Sequence, residues 1–173
     1  TGRPLQKAFL AQDYPHLWTV ASLTKLWALP GLRLGFLAGP ESKIQALTRS
    51  GDPWRVNALA QRAGLYCLTK SEYLVDSLRM IRKEREYLRR NLEKIEDLKI
   101  FPGEVNFLLL RGEREGFSCE ELFRFLAARG ILIRKASNFP GFDQRYFRIA
   151  VRRREENERL LEGLLNFFTE RNG

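Results

Sequence analysis

Short apolar runs and amphipathic repeats alternate along the first part of the chain. The apolar runs at Leu17–Ser22 and Leu34–Ala38 predict two short strands, and the segment between them predicts a hairpin-like reversal. Helical spacing predicts helices at Pro4–Ala11, Ser42–Thr48 and Asn57–Leu68. These elements form the first predicted part of the chain.

A long amphipathic pattern from Ser71 to about Ile95 predicts a single helix. Beyond it the pattern predicts strands at Lys99–Phe101, Phe107–Leu110, Ile131–Arg134 and Tyr146–Val151, and helices at Cys119–Ala128 and Glu155–Thr169. Ser118 is placed to cap the first of these two helices, and Gly130 to end it. The β-β-α-β-β-α order implies helices packed on one face of a mainly antiparallel sheet.

Length and charge limit what the chain can be. Its 173 residues are enough for one good core, or for one and part of another. The net charge of +9 raises nucleic acid as a possible partner. However, basic residues alternate with glutamates from Arg79 to Arg90, which predicts a solvated helix face, and the densest basic run, at residues 152–154, is interpreted as a strand end before a helix. We therefore expect no nucleic-acid partner.

Cysteine and histidine usage favours a reducing compartment and no metal. Cys67 and Cys119 are the only cysteines and lie far apart, unlike the dense spacing of disulfide-rich secreted proteins. The single histidine, His16, cannot form a histidine-based zinc site or a standard catalytic triad with the other residues. No signal peptide or apolar run of membrane-spanning length is present, so we expect a cytoplasmic location and no membrane partner.

The residues that carry chemistry surround Lys25. Ser22 stands three residues before this lysine, and Arg33 stands eight residues after it between Gly31 and Gly35. A lysine amine can form a Schiff base with an aldehyde, and arginine binds phosphate oxygens in bidentate fashion. The two glycines suit a tight turn and a close backbone approach, which would bring the arginine back beside the lysine.

This set of residues resembles the cofactor segment of pyridoxal-phosphate enzymes of the aspartate aminotransferase fold. The resemblance implies pyridoxal 5′-phosphate as the cofactor, with Lys25 forming a Schiff base with its aldehyde. It also implies that Ser22 and Arg33 hold the cofactor phosphate. The alternative interpretation is an ordinary apolar strand and turn with one exposed lysine.

The resemblance implies an α/β fold: the C-terminal part of the large cofactor-binding domain of the aspartate aminotransferase fold plus the complete small α+β C-terminal domain. Residues 1–70 would be the remnant of the large domain, 71–95 a bridging helix, and 96–173 the small domain. Enzymes of this family are about twice as long, against a usual ~100–200 residues per domain. We therefore expect the chain to be a fragment without the aspartate that pairs with the cofactor's pyridine nitrogen.

A second resemblance covers residues 133–152 and points to the branch of threonine-phosphate decarboxylases and histidinol-phosphate aminotransferases. It implies that Arg148 holds the substrate carboxylate and that Arg134 helps to bind the substrate's anionic groups. Two interpretations are open for Trp54, Asn57 and Asn106. They either approach the active-site cleft, or Trp54 is an aromatic anchor beneath a helix and the two asparagines lie in turns.

Three functions remain open from the sequence. The first is a decarboxylase of threonine phosphate in cobalamin biosynthesis, present as the C-terminal half of a homodimeric enzyme with a small phosphorylated amino acid as substrate. The second is a histidinol-phosphate aminotransferase or another class I or II aminotransferase. The third is a truncated chain without catalysis, because a chain that lacks the pyridine-nitrogen aspartate would lose most of the cofactor's electron-sink effect.

Overall fold

Six helices and six strands make up residues 16–169, the part of the chain that the computed structural model describes. In chain order they are β1 Thr19–Ser22, α1 Leu23–Leu26, β2 Gly35–Ala38, α2 Glu41–Ser50, α3 Ala58–Leu68, α4 Ser71–Leu92, β3 Leu98–Phe101, β4 Phe107–Gly112, α5 Cys119–Ala127, β5 Arg134–Lys135, β6 Tyr146–Ala150 and α6 Arg154–Thr169. The chain divides into two compact units between Leu78 and Arg79. The helix predicted at Pro4–Ala11 lies outside the described residues.

The first unit confirms the predicted reversal. Strands β1 and β2 pair antiparallel, with Thr19 opposite Ala38 and Ser22 opposite Gly35. The turn between them contains the helical turn α1, which the sequence pattern did not predict, and a short 3-10 helix at Pro30–Leu32. Helices α2 and α3 follow within two residues of their predicted bounds.

The predicted caps differ in chemistry. Asn57 precedes α3, and its side-chain oxygen accepts a hydrogen bond from the Ala60 N–H at 2.8 Å, which satisfies one of the free donors at the helix start. Ser118 stands at the N-cap position of α5 as predicted, but its side chain makes no capping hydrogen bond. Gly130 adopts a positive φ of 72° just beyond the end of α5, as expected for a glycine that ends a helix.

The second unit is a four-stranded antiparallel sheet in the order β3-β4-β6-β5, with helices against one face. Burial alternates along β4 and β6, because neighbouring side chains on a strand point to opposite faces. Leu108, Leu110, Phe147 and Ile149 are buried among side chains from the helices. The other face of the sheet carries Phe107, Leu109, Arg111, Tyr146 and Arg148. The predicted layer of helices on an antiparallel sheet is confirmed.

The strand predicted at Ile131–Arg134 is wrong by three residues. Ile131 lies just after the turn that ends α5, and its N–H donates to the Leu126 carbonyl at 2.9 Å. Pairing with β6 begins only where Arg134 lies opposite Arg148. The apolar pattern alone could not show this, because a helix terminus and a short edge strand both place an isoleucine against the core.

The solvated face predicted for residues 79–90 is wrong at Glu84. This side chain is only 5% exposed, and its carboxylate accepts hydrogen bonds from Arg154 Nε at 3.0 Å, from Arg154 Nη2 at 2.9 Å and from Asn157 Nδ2 at 3.1 Å. Asn157 is itself 1% exposed, and it also bonds the backbone N–H and carbonyl of Arg152. The buried carboxylate therefore ties α4 to the first turn of α6.

Replacing Glu84 with alanine should lower the free energy of unfolding by about 2 kcal/mol or more, because it removes the acceptor of the Arg154 guanidinium and one of the two acceptors of the Asn157 amide. Glu86→Ala is the matched control: Glu86 also pairs with two arginines, Arg89 and Arg90, but at the surface. Urea unfolding followed by circular dichroism measures both variants. Equal losses in the two variants would contradict the structural role of Glu84.

Glu84 also predicts a pH dependence. Hydrogen bonds from the Arg154 guanidinium lower the pKa of the Glu84 carboxyl below its ordinary value of 4.5, and this effect outweighs the opposing effect of burial. A depressed pKa means that the stabilisation is complete above the ordinary value and is lost as the pH falls below it. The difference in unfolding free energy between wild type and Glu84→Gln should therefore shrink as the pH falls below 4.5. A difference that stays constant over this range would contradict the assignment.

Candidate active-site groups

The predicted cofactor residues of the first unit lie on one turn. The Leu23 N–H donates to the Leu34 carbonyl at 3.0 Å, and Ser22 lies opposite Gly35. These two backbone contacts return the chain so that the segment carrying Arg33 runs beside the segment carrying Ser22 and Lys25. The structure thus places Ser22, Lys25 and Arg33 in one chain reversal between β1 and β2.

This turn is built under backbone constraint. Ala28 and Arg33 adopt positive φ angles of 50° and 51°, a region that costs side-chain-bearing residues energy. A Cβ atom on Gly35 would lie 2.5 Å from the Ala21 carbonyl oxygen, so the close approach of the strands requires a glycine there. The expectation for Gly35 is confirmed, whereas Gly31 has open space around its Cβ position and a φ outside the left-handed region.

A second hydroxyl, which the sequence analysis did not single out, accompanies Ser22. The Thr24 Oγ1 lies 2.7 Å from the Ser22 Oγ, and Thr24 is only 4% exposed. Because either oxygen can donate in this pair, a hydrogen bond given by Thr24 leaves the Ser22 hydroxyl free to donate elsewhere. The only signal that the sequence offered was a second hydroxyl-bearing residue directly before Lys25.

Lys25 and Arg33 are both exposed, and neither forms an ion pair or side-chain hydrogen bond with any part of residues 16–169. The helical turn that carries Lys25 ends at Trp27, which is buried and stacks on Tyr73 with the ring centroids 5.5 Å apart. An uncommitted amine, an uncommitted guanidinium and an oriented hydroxyl are the donors that an aldehyde and a phosphate dianion require. These groups fit pyridoxal phosphate.

The predicted substrate arginines lie side by side in the second unit. Arg134 on β5 is the direct cross-strand partner of Arg148 on β6. Like charges at such positions repel each other, and no acidic side chain among residues 16–169 forms an ion pair with either of them. Two adjacent cations without an internal counter-ion make this edge of the sheet suited to an anion from outside.

One side-chain nitrogen of Arg148 lacks a hydrogen-bond partner. Its Nε is buried and is the only buried side-chain nitrogen or oxygen of residues 16–169 without a hydrogen-bond partner. The guanidinium carbon lies 3.9 Å from the centroid of the Phe107 ring. Because buried polar atoms are nearly always hydrogen-bonded, an orphaned one calls for a physical explanation.

The residues that the sequence left open are placed as follows. Trp54 is 87% exposed and anchors nothing within residues 16–169, whereas Asn57 caps α3. Asn106 contributes its carbonyl, which accepts the Val151 N–H at 2.9 Å at the end of the β4–β6 pairing.

Other chemistry finds little support in the described residues. Burial raises the pKa of the Cys119 thiol to about 11, which disfavours a nucleophilic thiolate. No group of three histidine, cysteine, aspartate or glutamate side chains within residues 16–169 could hold a metal ion. None of the helices over the same range is long and apolar enough to cross a membrane.

Comparison with known proteins decides the family. Residues 2–164 match the model of the family described as aminotransferase class I and II. The chain belongs to this family. Among the relatives of this family member, the threonine-phosphate decarboxylase of Salmonella typhimurium is 42% identical over 159 residues, which cover 91% of this chain and 43% of that protein.

Solved structures agree with this membership. The histidinol-phosphate aminotransferase from Clostridium acetobutylicum matches with a TM-score of 0.86 at 28% identity, over 96% of this chain and 49% of that chain. The L-threonine-O-3-phosphate decarboxylase from Porphyromonas gingivalis matches with a TM-score of 0.84 at 27% identity, over 92% of this chain and 49% of that chain. The chain therefore spans about half the length of these relatives.

The comparisons confirm three predictions at the level of the family: membership, the α/β fold of this aminotransferase family, and pyridoxal 5′-phosphate as its cofactor. The roles of Ser22, Lys25, Arg33, Arg134 and Arg148 remain predictions.

The close approach of the strands at Gly35 predicts a loss of stability when this glycine, but not Gly31, is replaced. Gly35→Ala forces a Cβ against the Ala21 carbonyl and should destabilise the turn by about 1–3 kcal/mol. Gly31→Ala is the matched control, because nothing lies within 4 Å of its Cβ position. Urea unfolding monitored by tryptophan fluorescence measures the difference, because all three tryptophans, Trp18, Trp27 and Trp54, belong to the first unit. The same midpoint for both variants would show that the close approach is absent in solution.

Proposed function

We propose that this chain is the C-terminal half of a pyridoxal-phosphate enzyme that decarboxylates L-threonine O-3-phosphate. The substrate assignment is supported by the 42% identity to the threonine-phosphate decarboxylase of Salmonella typhimurium. The observation that carries the chemistry is the cross-strand pair Arg134 and Arg148, two cations without an acidic partner among residues 16–169. A substrate with both a carboxylate and a phosphate supplies the two anions that this pair lacks.

The turn of the first unit would hold the cofactor. The Lys25 amine is the attachment point for the aldehyde carbon, and the Arg33 guanidinium with the Ser22 hydroxyl would donate to the phosphate oxygens. Thr24 would support the phosphate contact by donating to Ser22 Oγ, 2.7 Å away. The chemistry that pyridoxal phosphate supplies when bound is uptake of the electron pair of a bond broken at the substrate Cα.

The arginines would decide which bond is broken. Arg148 would hold the substrate carboxylate in bidentate fashion, and Arg134 beside it would help to hold the second anionic group. Holding both ends of a small substrate fixes its rotation, and only the bond that stands perpendicular to the cofactor ring is weakened. In the proposed reaction the carboxylate carbon leaves as CO2, and a proton is added at Cα in its place, yielding aminopropanol phosphate. Such a reaction belongs to cobalamin biosynthesis.

Amino transfer is the second candidate. It is supported by the TM-score of 0.86 with the histidinol-phosphate aminotransferase from Clostridium acetobutylicum. In this reaction Cα loses a proton instead of CO2, with the Lys25 amine as the base and the return donor. The same five side chains would serve both reactions.

The proposal extends to the whole protein. Residues 1–70 would belong to the large cofactor-binding domain, 71–95 to a bridging helix and 96–173 to the small domain of a cytoplasmic homodimer. Because the chain spans 43% of its Salmonella typhimurium relative, catalysis is proposed for the full-length protein. We expect the 173 residues alone to be inactive, and the third interpretation, a chain without catalysis, then applies to this segment only.

The first test is covalent labelling. After incubation with pyridoxal phosphate and reduction with borohydride, peptide mass spectrometry should find a saturable pyridoxyl adduct on Lys25, because this amine is exposed and lacks an ion-pair partner among residues 16–169. Lys25→Ala should abolish the adduct, whereas Lys70→Ala, which removes another exposed lysine of the same unit, should leave it unchanged. Labelling scattered over many lysines would contradict a cofactor site in this chain.

In the full-length protein, CO2 release from L-threonine O-3-phosphate would separate the proposal from amino transfer. Transfer of nitrogen to a keto acid from histidinol phosphate, without release of CO2, would favour the second candidate.

A further inference from the structure

We propose that Phe107 is a positioning residue for Arg148, holding the guanidinium so that a carboxylate can reach only its two terminal nitrogens. The proposal rests on the function proposed above, in which Arg148 binds the substrate carboxylate. Phe107 itself would touch neither the substrate nor the cofactor.

The first support is the geometry of the pair. The Arg148 Cζ lies 3.9 Å from the Phe107 ring centroid, whereas other cation and ring pairs on or near this sheet are looser, at 5.5 Å for Lys99 over Phe101 and 5.9 Å for Arg134 over Phe139. At the shorter distance the guanidinium contacts the negatively polarised face of the ring, so the charge is stabilised without an acidic partner.

The second support is the register of the strands. Phe107 lies opposite Ala150 and Leu109 lies opposite Arg148, which makes Phe107 and Arg148 diagonal neighbours on one face of the sheet. Ala150 is small, so the arginine can extend across its position towards the ring. The hydrogen bond from the Val151 N–H to the Asn106 carbonyl, at 2.9 Å, fixes the end of β4 that carries Phe107.

The third support is the orphaned nitrogen. Other arginines packed as closely on rings also use their nitrogens for hydrogen bonds: Arg154 lies 3.5 Å from the Tyr87 ring and binds Glu84, and Arg129 lies 3.5 Å from the Phe125 ring and donates to the Phe125 carbonyl. In Arg148 the Nε is instead buried without a partner.

A carboxylate can approach an arginine from the side, through Nε and one terminal nitrogen, or from the end, through both terminal nitrogens. Burial of Nε closes the side approach and leaves the end approach. The ring thereby selects the direction in which the carboxylate is held, and that direction affects which bond of Cα stands perpendicular to the cofactor ring. Phe107 would contribute to specificity through Arg148.

Proton and nitrogen NMR of the arginine side chains tests the proposal on the 173-residue chain, with Arg148→Lys identifying the Arg148 Nε–H signal. In wild type this signal should be displaced by the ring and should exchange slowly with water. Phe107→Leu keeps an apolar side chain but removes the aromatic face, so the displacement and the protection should disappear. Phe107→Tyr, which restores a ring, should recover both.

Titration with L-threonine O-3-phosphate supplies the second readout. Binding followed at the Arg148 signals should weaken about three- to tenfold in Phe107→Leu, the range expected for loss of a cation–π contact. Phe101→Leu is the matched control: it removes a half-buried ring from the same face of the sheet, but one that lies beside Lys99 and Tyr146 instead of Arg148. It should change neither readout.

The outcomes separate the two proposals. An Arg148 signal and an affinity that are the same in wild type and Phe107→Leu would overturn the positioning role while leaving the proposed function intact. Wild-type Arg148 signals that show the ring effect but do not respond to the phosphorylated amino acid would instead overturn the proposed function for this chain.

Discussion

Antiparallel pairing between β4 and β6 is the constraint on which the second unit depends. Its register, with Leu110 opposite Phe147 and Leu109 opposite Arg148, sends one set of side chains into the core and the alternate set onto the open face. A slip of one residue would exchange the two faces, placing a guanidinium against the helices and Phe147 in the open. The core and the candidate anion site are therefore fixed by the same backbone hydrogen bonds. Neither can change without the other.

Several features work against stability at the candidate sites. Arg134 and Arg148 repel each other across β5 and β6, and Arg33 adopts a positive φ of 51° without being glycine. Each is unfavourable in isolation, and the rest of the fold has to hold it in place. The Glu84–Asn157 contact shows how the second unit does this, because a buried carboxylate anchors the segment that follows β6. Unfavourable charge pairs and backbone angles at a site, with stabilising contacts close by, are the pattern expected of binding sites.

Features formed by residues close together in the sequence could be predicted from it, whereas contacts between residues far apart in the sequence could not. Ser22, Lys25 and Arg33 lie within one chain reversal, so the apolar runs and glycines on either side of them were enough to predict that reversal. The strands were predictable from their apolar runs, apart from β5, where two residues carry too little pattern. By contrast, Glu84 meets Arg154 and Phe107 meets Arg148 only after the sheet and helices have assembled. A glutamate among arginines reads as solvated unless its distant partners are known.

The two candidate reactions place opposite demands on the arginine pair. In amino transfer no anionic group of the substrate loses its charge, so tight binding of that group, a carboxylate in an amino acid or the phosphate in histidinol phosphate, helps throughout. In decarboxylation the carboxylate loses its charge as CO2 forms, and a grip that is strongest on the substrate's carboxylate stabilises the ground state more than the transition state. A decarboxylase therefore gains most when the binding energy comes from the phosphate, which is unchanged by the reaction. Under the proposed function, the charge of Arg134 would serve the phosphate, while Arg148, held on Phe107, would orient the carboxylate more than bind it.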